Sequence, residues 1–264
     1  MSLIALYNHI QNNDMVDIPE GWTQGRTIYG GLVAGMLMQK ALLTVVDSSK
    51  QLLSCAVTFV GPVQQAPVQL SAEILRQGKS VTTVEVRLWQ QGAVQTILLA
   101  SFGTYRESGI QVQNEVLAPQ YPDVASLSPM PQHPLIPECF KQMQLHWAEG
   151  QFPCMASPQP DFGGYFRFEP RLHPQRDMTI ADVIVAFDMW PPGVVPMFKS
   201  MAPTSSLTWQ VTRVHPLQSK LHDWLKYKVF TDYASHGYAT EHAYLWDAND
   251  RLIAIARQTV TVFA

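Results

Sequence analysis

The sequence is poor in charge. Lysine, arginine, aspartate and glutamate make up 15% of its 264 residues and the net charge is −3, whereas about a quarter of the residues of a soluble domain are usually charged. Without a basic excess the chain has no electrostatic means of holding nucleic acid or an anionic membrane, so neither partner is expected. Hydrophobic residues make up 47%. This balance predicts extensive buried surface, part of it in a homodimer or higher homo-oligomer.

Cysteine is scarce as well. Cys55, Cys139 and Cys154 are too few and too scattered for a disulfide framework or a zinc site. The first residues also lack the basic segment that opens a secretory signal. We therefore expect reduced thiols in a cytoplasmic protein.

Motifs of several enzyme classes are missing. The chain has no G-x-S-x-G nucleophile motif, no G-x-G-x-x-G after a predicted strand, and no P-loop, because position 73, upstream of Gly78-Lys79-Ser80, is glutamate. No pair of histidines or cysteines has metal-ligand spacing within one predicted element. We expect neither a metal nor another cofactor.

What is present is a long apolar helix, predicted at residues 29–46. Its polar residues Lys40 and Thr44, with Asp47 just beyond, recur at helical spacing and form one narrow stripe. The rest of the helix surface is apolar, so other parts of the protein must enclose it. At roughly 25 Å it is too short, and too interrupted by lysine and glycine, for a membrane span.

Strands are predicted after this helix, and the second half of the chain repeats the pattern. A second apolar helix at residues 179–190 begins with a capping box and ends at two prolines. V-T-x-V-x-P occurs at Val57 and again 154 residues later at Val211. The predicted strands are 52–60, 68–75, 81–90 and 96–105 in the first half, and 207–214, 224–233, 238–246 and 252–263 in the second.

A proline-rich stretch separates the two halves, with nine prolines between Pro119 and Pro160. We therefore predict an α+β fold with two copies of an antiparallel sheet wrapped round a helix and packed as a pseudo-dimer. The N-terminal domain is predicted at residues 1–107, the connection at 108–160 and the C-terminal domain at 161–264.

Asp188 breaks the local rules of its helix. A carboxylate in the last turn of an apolar helix faces the negative end of the helix dipole, and its neighbours carry no countercharge. One interpretation is structural: the carboxylate accepts a backbone N–H in the turn at Gly193. The other is functional: a carboxylate in apolar surroundings acts as a general base.

Two further polar residues have the same two kinds of interpretation. Thr204 precedes the first strand of the second half, where its hydroxyl could face the helix end or cap a turn. Gln258 lies inside the last predicted strand, where the first half has only apolar and small residues, and it could serve a site or point outward.

Six segments carry a further signal: residues 25–35, 75–81, 100–102, 187–188, 203–204 and 253–258. Together they resemble the acyl-CoA thioesterase II family of double-hotdog proteins. The resemblance implies two tandem hotdog domains, hydrolysis of acyl-CoA to free acid and CoA, and a place in fatty acid metabolism. It also implies that Asp188, Thr204 and Gln258 orient the hydrolytic water. The Asp-His pair and the His-Arg-Pro common in that family are absent here.

Further site residues complete this hypothesis. Amides of Gly30 and Gly31 at the start of the first helix could polarise the thioester carbonyl, or these glycines could serve helix packing alone. Trp190, Met197 and Phe198 are candidates to line an acyl slot, although such side chains are also ordinary core residues.

Two other functions stay open. A non-catalytic acyl-CoA or acyl-chain binding protein would need only the fold and the slot. A hotdog hydratase or dehydratase would need a histidine paired with an acid near a helix, and neither predicted central helix contains a histidine.

Overall fold

The computed structural model describes residues 2–112, 114–130 and 136–264. Gln113 and residues 131–135 belong to the predicted connection and lie outside the described residues. The helices are α1 (Leu3–Asn12), α2 (Gly30–Thr44) and α3 (Ile180–Phe187). The strands are β1 (Met15–Val16), β2 (Thr23–Gln24), β3 (Thr27–Ile28), β4 (Gln51–Phe59), β5 (Val68–Gln77), β6 (Val81–Gln90), β7 (Ala93–Gly103), β8 (Met143–Gly150), β9 (Phe162–Phe168), β10 (Thr204–Arg213), β11 (Leu225–Ser235), β12 (Tyr238–Trp246) and β13 (Leu252–Val262).

Eleven of these strands form one antiparallel sheet in the order β1-β5-β6-β7-β4-β10-β13-β12-β11-β9-β8. The order in one half mirrors the order in the other, and β4 and β10 pair where the halves meet. Val57 pairs with Trp209 and Cys55 pairs with Val211. A shift of 154 residues converts the first pair into the second, as a two-fold axis between the two strands requires.

The helix predicted from the apolar run is α2, and it is enclosed as expected. Every residue from Gly31 to Met38 is buried. The helix packs against β5, β6 and β7 on one side and against α3 on another. Gly35 allows this close packing, because a Cβ there would overlap the side chain of Val185. The predicted polar stripe reaches the surface, where Lys40 Nζ lies 2.6 Å from Asp14.

The second predicted helix is α3, and its capping box is confirmed. The Thr179 hydroxyl accepts from the backbone N–H of Asp182, and the Asp182 carboxylate accepts from the backbone N–H of Thr179. The helix ends at Phe187, three residues before the predicted end. The chain leaves the helix at Asp188, and a tight turn follows in which the N–H of Met189 bonds to the carbonyl of Ala186.

The strand β8 lies within the range predicted as a connection. Met143, Leu145 and Trp147 are buried and alternate with less buried residues. This period-two pattern is typical of a strand with one buried face. The pattern is short and is flanked by prolines, which explains why the proline content dominates the sequence signal there.

None of the described helices has the length and apolar character needed to span a membrane.

Candidate active site

Asp188 lies where the end of α3 meets the start of α2. Its Oδ2 is 3.1 Å from the place that a Cβ would occupy on Gly30, and the ring of Phe59 approaches the same point to 3.3 Å. The carboxylate therefore packs against the backbone of a helix N-terminus, the positive end of that helix. A neighbouring helix start thus offsets the unfavourable field at the end of α3.

The surroundings of Asp188 raise the pKa of its carboxyl to about 7. Burial is the main cause, because it disfavours the charged form. The side-chain amide of Gln258 and the backbone amide of Gly31 act in the opposite direction, since both favour the anion. Near neutral pH this carboxyl can therefore both accept and release a proton, which is what general base catalysis requires.

Gln258 joins Asp188 to a hydroxyl. Its Nε2 donates to Asp188 Oδ1 at 3.3 Å and to Ser206 Oγ at 2.5 Å. Asp188, Gln258 and Ser206 therefore form one connected polar group from the end of α3, from β13 and from β10.

A β-bulge brings Ser206 to this group. Trp209 pairs with Gln258, so these two side chains share one face of the sheet. The register shifts at Leu207, and Ser206 then pairs with Val260. Without the extra residue, Ser206 would lie on the opposite face, because side chains alternate along a strand.

Thr204 lies two residues before Ser206 on β10 and is therefore further from Gln258. It pairs with Val262 and is partly buried on the same face as Ser206. Two residues along a strand amount to roughly 7 Å. Within the described residues, the hydrogen bonds of Gln258 reach Ser206 and not Thr204. The structure therefore brings Asp188 and Gln258 together and supplies a different hydroxyl from the one predicted.

Asp188 does not accept the backbone N–H of Gly193, as the structural interpretation of this residue proposed. The backbone N–H of Gly193 donates instead to Glu241 Oε2, at 2.7 Å. The turn after α3 is thus satisfied by another carboxyl, and Asp188 is left facing Gln258 and the start of α2.

Gly30 and Gly31 both lie at this junction. Tyr29 donates from its hydroxyl to the carbonyl of Val185 at 2.6 Å, so it binds a carbonyl in the last turn of α3. A Cβ on Gly31 would overlap the phenol of Tyr29. Gly31 is therefore needed for packing, and its amide also faces the carboxyl of Asp188.

Comparison with known protein families identifies the family of this chain. Residues 18–103 match the model of the acyl-CoA thioesterase N-terminal domain, and residues 119–262 match that of the acyl-CoA thioesterase C-terminal domain. The chain belongs to the acyl-CoA thioesterase family. It is accordingly an enzyme that hydrolyses thioesters. None of the curated proteins compared with this thioesterase matches it significantly.

Solved structures show the same fold. A candidate thioesterase II of Thermobifida fusca is 21% identical and has a TM-score of 0.81, with 95% of this chain and 93% of that chain covered. A hot dog fold protein of Alicyclobacillus acidocaldarius, titled as of unknown function, is 19% identical with a TM-score of 0.84 over 98% of both chains. The acyl-CoA thioesterase II TesB2 of Mycobacterium marinum is 18% identical with a TM-score of 0.69 over 89% of both.

The predicted acyl-slot residues of the thioesterase lie in different surroundings. Trp190 is 5% exposed and stacks on Tyr227, with ring centroids 5.2 Å apart, inside an aromatic part of the core. Phe198 is buried in a small separate cluster near the ends of β12 and β13, whereas Met197 is 42% exposed. The structure does not bring these three side chains together at Asp188.

A small cavity adjoins the polar group of the thioesterase. It measures about 10 Å³ and is lined by Phe187, Trp209, Tyr227, Glu241, Ala243, Ala256 and Gln258. A larger cavity, of about 610 Å³, lies beside the edge strand β8, and none of the predicted site residues lines it. No group of three histidine, cysteine, aspartate or glutamate side chains within the described residues suits a metal ion.

Sequence reasoning did not find Glu241. It is 3% exposed and lies directly opposite Gln258 in the pairing of β12 with β13. Burial is the main reason that the pKa of its carboxyl rises to about 8. Alternation along β12 carried the signal, because Ala239, Ala243 and Leu245 share its buried face.

Proposed function

We propose that this chain hydrolyses acyl-CoA to free acid and CoA at Asp188. Support comes from the carboxyl of Asp188, which is held by Gln258 against the N-terminus of α2 and has a pKa near 7. In this proposal the chain is two tandem hotdog domains, residues 1–107 and 161–264, joined by 108–160, with β8 of that connection paired to β9 of the second domain.

The proposed reaction needs only water and the side chains of this site. Asp188 takes a proton from water as the water oxygen attacks the thioester carbonyl carbon. The tetrahedral intermediate then expels CoA as its thiolate, which receives the proton from Asp188. The anionic form of Asp188 is the active base, so activity is expected to rise through pH 7.

Asp188 and a hydroxyl hold the attacking water in this proposal, and Gln258 orients both of them. Ser206 takes the role predicted for Thr204, because Ser206 is the hydroxyl in contact with Gln258 Nε2. A water beside Asp188 and Ser206 would have a proton acceptor at the end of α3 and a hydrogen-bond donor on β10. Such placement lowers the barrier because the groups need no rearrangement during the reaction.

The start of α2 is the proposed site for the carbonyl oxygen. Backbone N–H groups in the first turn of the helix lack partners within the helix. The N–H of Gly31 already faces the Asp188 carboxyl, so in this proposal Gly30, and not the pair of Gly30 and Gly31, donates to the carbonyl oxygen. Gly30 presents no side chain between that turn and Asp188. The negative charge that develops on the oxygen would then lie at the positive end of the helix dipole.

The acyl chain is proposed to leave this junction along the segment that follows Asp188. Met197 is an exposed apolar side chain of that segment, whereas Trp190 and Phe198 are buried along it in two different apolar clusters. CoA and its acyl group are the only partners required for activity. We propose a role in fatty acid metabolism in the cytoplasm.

A homodimer is also proposed. Leu53, Leu99 and Leu207 are exposed on β4, β7 and β10, the central strands of the sheet. Exposed leucines on the central strands fit a sheet face that pairs with a second copy.

The activity test is a panel of acyl-CoA thioesters of increasing chain length, assayed for free thiol with a chromogenic reagent and for binding by calorimetry. We expect thiol release from at least one of them. Binding without thiol release at every length would instead favour the acyl-CoA binding protein. A hydratase has less support, because no histidine is hydrogen-bonded to Asp188 or Glu241 in the part of the chain that the structure describes.

A further inference from the structure

Glu241 is buried beside the site, but the hydrolysis described above does not use it. Its Oε2 accepts the backbone N–H of Gly193, five residues after Asp188. Its side chain lies on the same sheet face as Gln258, directly across the pairing of β12 and β13. A carboxyl group is rarely placed in a sheet interior unless it has a partner or a task.

Gln258 needs a donor on one side of its amide. Its Nε2 is occupied by Asp188 and Ser206, whereas its Oε1 receives no hydrogen bond from another described residue. The two ends of a glutamine amide have nearly the same shape, so hydrogen bonds decide which end points where. A donor at Oε1 would keep the N–H groups directed at Asp188 and Ser206.

The 10 Å³ cavity connects Glu241 with Gln258, because both residues line it. A cavity of roughly 10–15 Å³ holds about one water molecule, provided that polar partners are present. Here the partners are the carboxyl of Glu241 and the amide of Gln258. One water can accept a hydrogen bond from the protonated carboxyl of Glu241 and donate a hydrogen bond to Gln258 Oε1.

We propose that Glu241 is a positioning residue: its protonated carboxyl, acting through one water in this cavity, holds the amide of Gln258 with its N–H groups toward Asp188 and Ser206. The inference rests on the proposed function, in which Gln258 orients Asp188 and Ser206 around the hydrolytic water. Glu241 itself does not touch the substrate.

The charges around Glu241 favour its protonated form. The pKa of Glu241 is raised to about 8 in total: burial is the largest cause, the amide of Gly193 acts against it, and the negative charges of Asp188, Asp161 and Asp232 add to the rise. These groups face it from the end of α3, from the loop before β9 and from β11. Tyr227 of β11 is also buried beside it, and Asp232 is itself paired with His242 and Arg257.

The test is the pH profile of kcat for wild type and for Glu241→Gln. In the wild type, kcat should rise through about pH 7 as Asp188 loses its proton and fall above about pH 8 as Glu241 loses its own. Glutamine can still accept from Gly193 and donate to the water at every pH. The variant should therefore keep the rising limb and lose the falling one, with kcat at pH 9.5 roughly tenfold or more above the wild type.

A second variant removes the donor altogether. Glu241→Leu should lower kcat by roughly tenfold at pH 7.5, with KM unchanged, and show no falling limb. A falling limb that persists in Glu241→Gln would overturn the inference. That result, together with an inactive Asp188→Asn, would leave the proposed function intact; a fully active Asp188→Asn would instead remove the proposed function.

A measurement on the wild type covers the case in which the variants fail to fold. Infrared spectra of protein labelled with ¹³C-glutamate should contain the band of a protonated carboxyl at pH 7, and this band should disappear as the pH rises above 8. Absence of the band at pH 7 would overturn the inference, because an ionised Glu241 has no proton to donate.

Discussion

At the scale of the residue, Asp188 shows why a broken local rule is informative. The end of a helix disfavours an anion, and apolar neighbours provide no countercharge. The structure supplies the missing compensation from elsewhere, through the N-terminus of α2 and the amide of Gln258. Compensation is incomplete, because the pKa stays near 7. The residue is thus held in a state suited to proton transfer.

The first prediction concerns the hydroxyl. Ser206→Ala should lower kcat by roughly tenfold to a hundredfold, because it removes the hydroxyl next to Gln258 Nε2. Thr204→Ser, two residues away on the same strand, should keep kcat within about twofold of the wild-type value and serves as the matched control. The assay is steady-state thiol release at saturating acyl-CoA.

Thr204→Val extends this comparison. It replaces the hydroxyl by a methyl group of similar volume, so its effect on folding should be small. If Thr204→Val lost more activity than Ser206→Ala, the predicted role of Thr204 would be correct and the assignment of Ser206 would be wrong.

Sequence alone identified Asp188 and Gln258 as candidates, but it could not identify Ser206. Choosing between Ser206 and Thr204 requires the register of β10 against β13, and the bulge at Leu207 changes which side chains face Gln258. A bulge has no clear signature in Thr-Ser-Ser-Leu-Thr. Glu241 was missed because a charged residue in an alternating strand is usually exposed, and its partner Gly193 is 48 residues away.

At the scale of the element, the junction of α2 and α3 determines the site. Tyr29 binds the carbonyl of Val185 and so joins the start of one helix to the end of the other. Gly31 leaves space for the Tyr29 ring. The orientation of Asp188 therefore depends on contacts made by the first half of the chain.

The second prediction compares the two glycines. Gly31→Ala should destabilise the protein by about 1–3 kcal/mol, because the new methyl group overlaps the phenol of Tyr29. Gly30→Ala meets the Asp188 carboxylate at 3.1 Å. It should cost less stability and lower kcat more. Chemical denaturation and thiol release measure the two effects.

Tyr29→Phe is the control for this pair. It removes the bond to Val185 but keeps the ring, so it should destabilise by about 1 kcal/mol. Equal stability of Gly31→Ala and wild type would show that Tyr29 does not occupy the position described.

The central helices and the eight strands predicted in the two halves were found from periodicity, with ends displaced by a few residues. Short-range rules suffice where apolar spacing is regular, as in β6 and β12, whose bounds were predicted correctly. They failed for β8, because prolines surround it and its partner β9 follows a loop. The order of strands in the sheet depends on pairing over long distances and had no local signal beyond the repeat.

At the scale of the whole molecule, the two halves are similar in fold but differ in chemistry. The bulge at Leu207 in β10 recurs at Leu53 in β4. The pairing of Trp209 with Gln258 corresponds to that of Cys55 with Ala100, and Val84 corresponds to Glu241. Apolar residues thus replace the polar group in the first half. The first half supplies a helix start to the site, and the second half supplies its side chains.

The central claim is that Asp188 is the base of a thioester hydrolase. The direct measurement is thiol release by wild type and Asp188→Asn, with acyl-CoA as substrate at pH 8 and with thermal unfolding recorded for both proteins. Asparagine keeps the shape and a hydrogen-bond acceptor for Gln258 but cannot take a proton. We predict a fall in kcat of roughly a hundredfold to ten-thousandfold, with a melting temperature at or above that of the wild type, because burial of the anion no longer opposes folding. Hydrolysis at the wild-type rate by the folded variant would contradict the account.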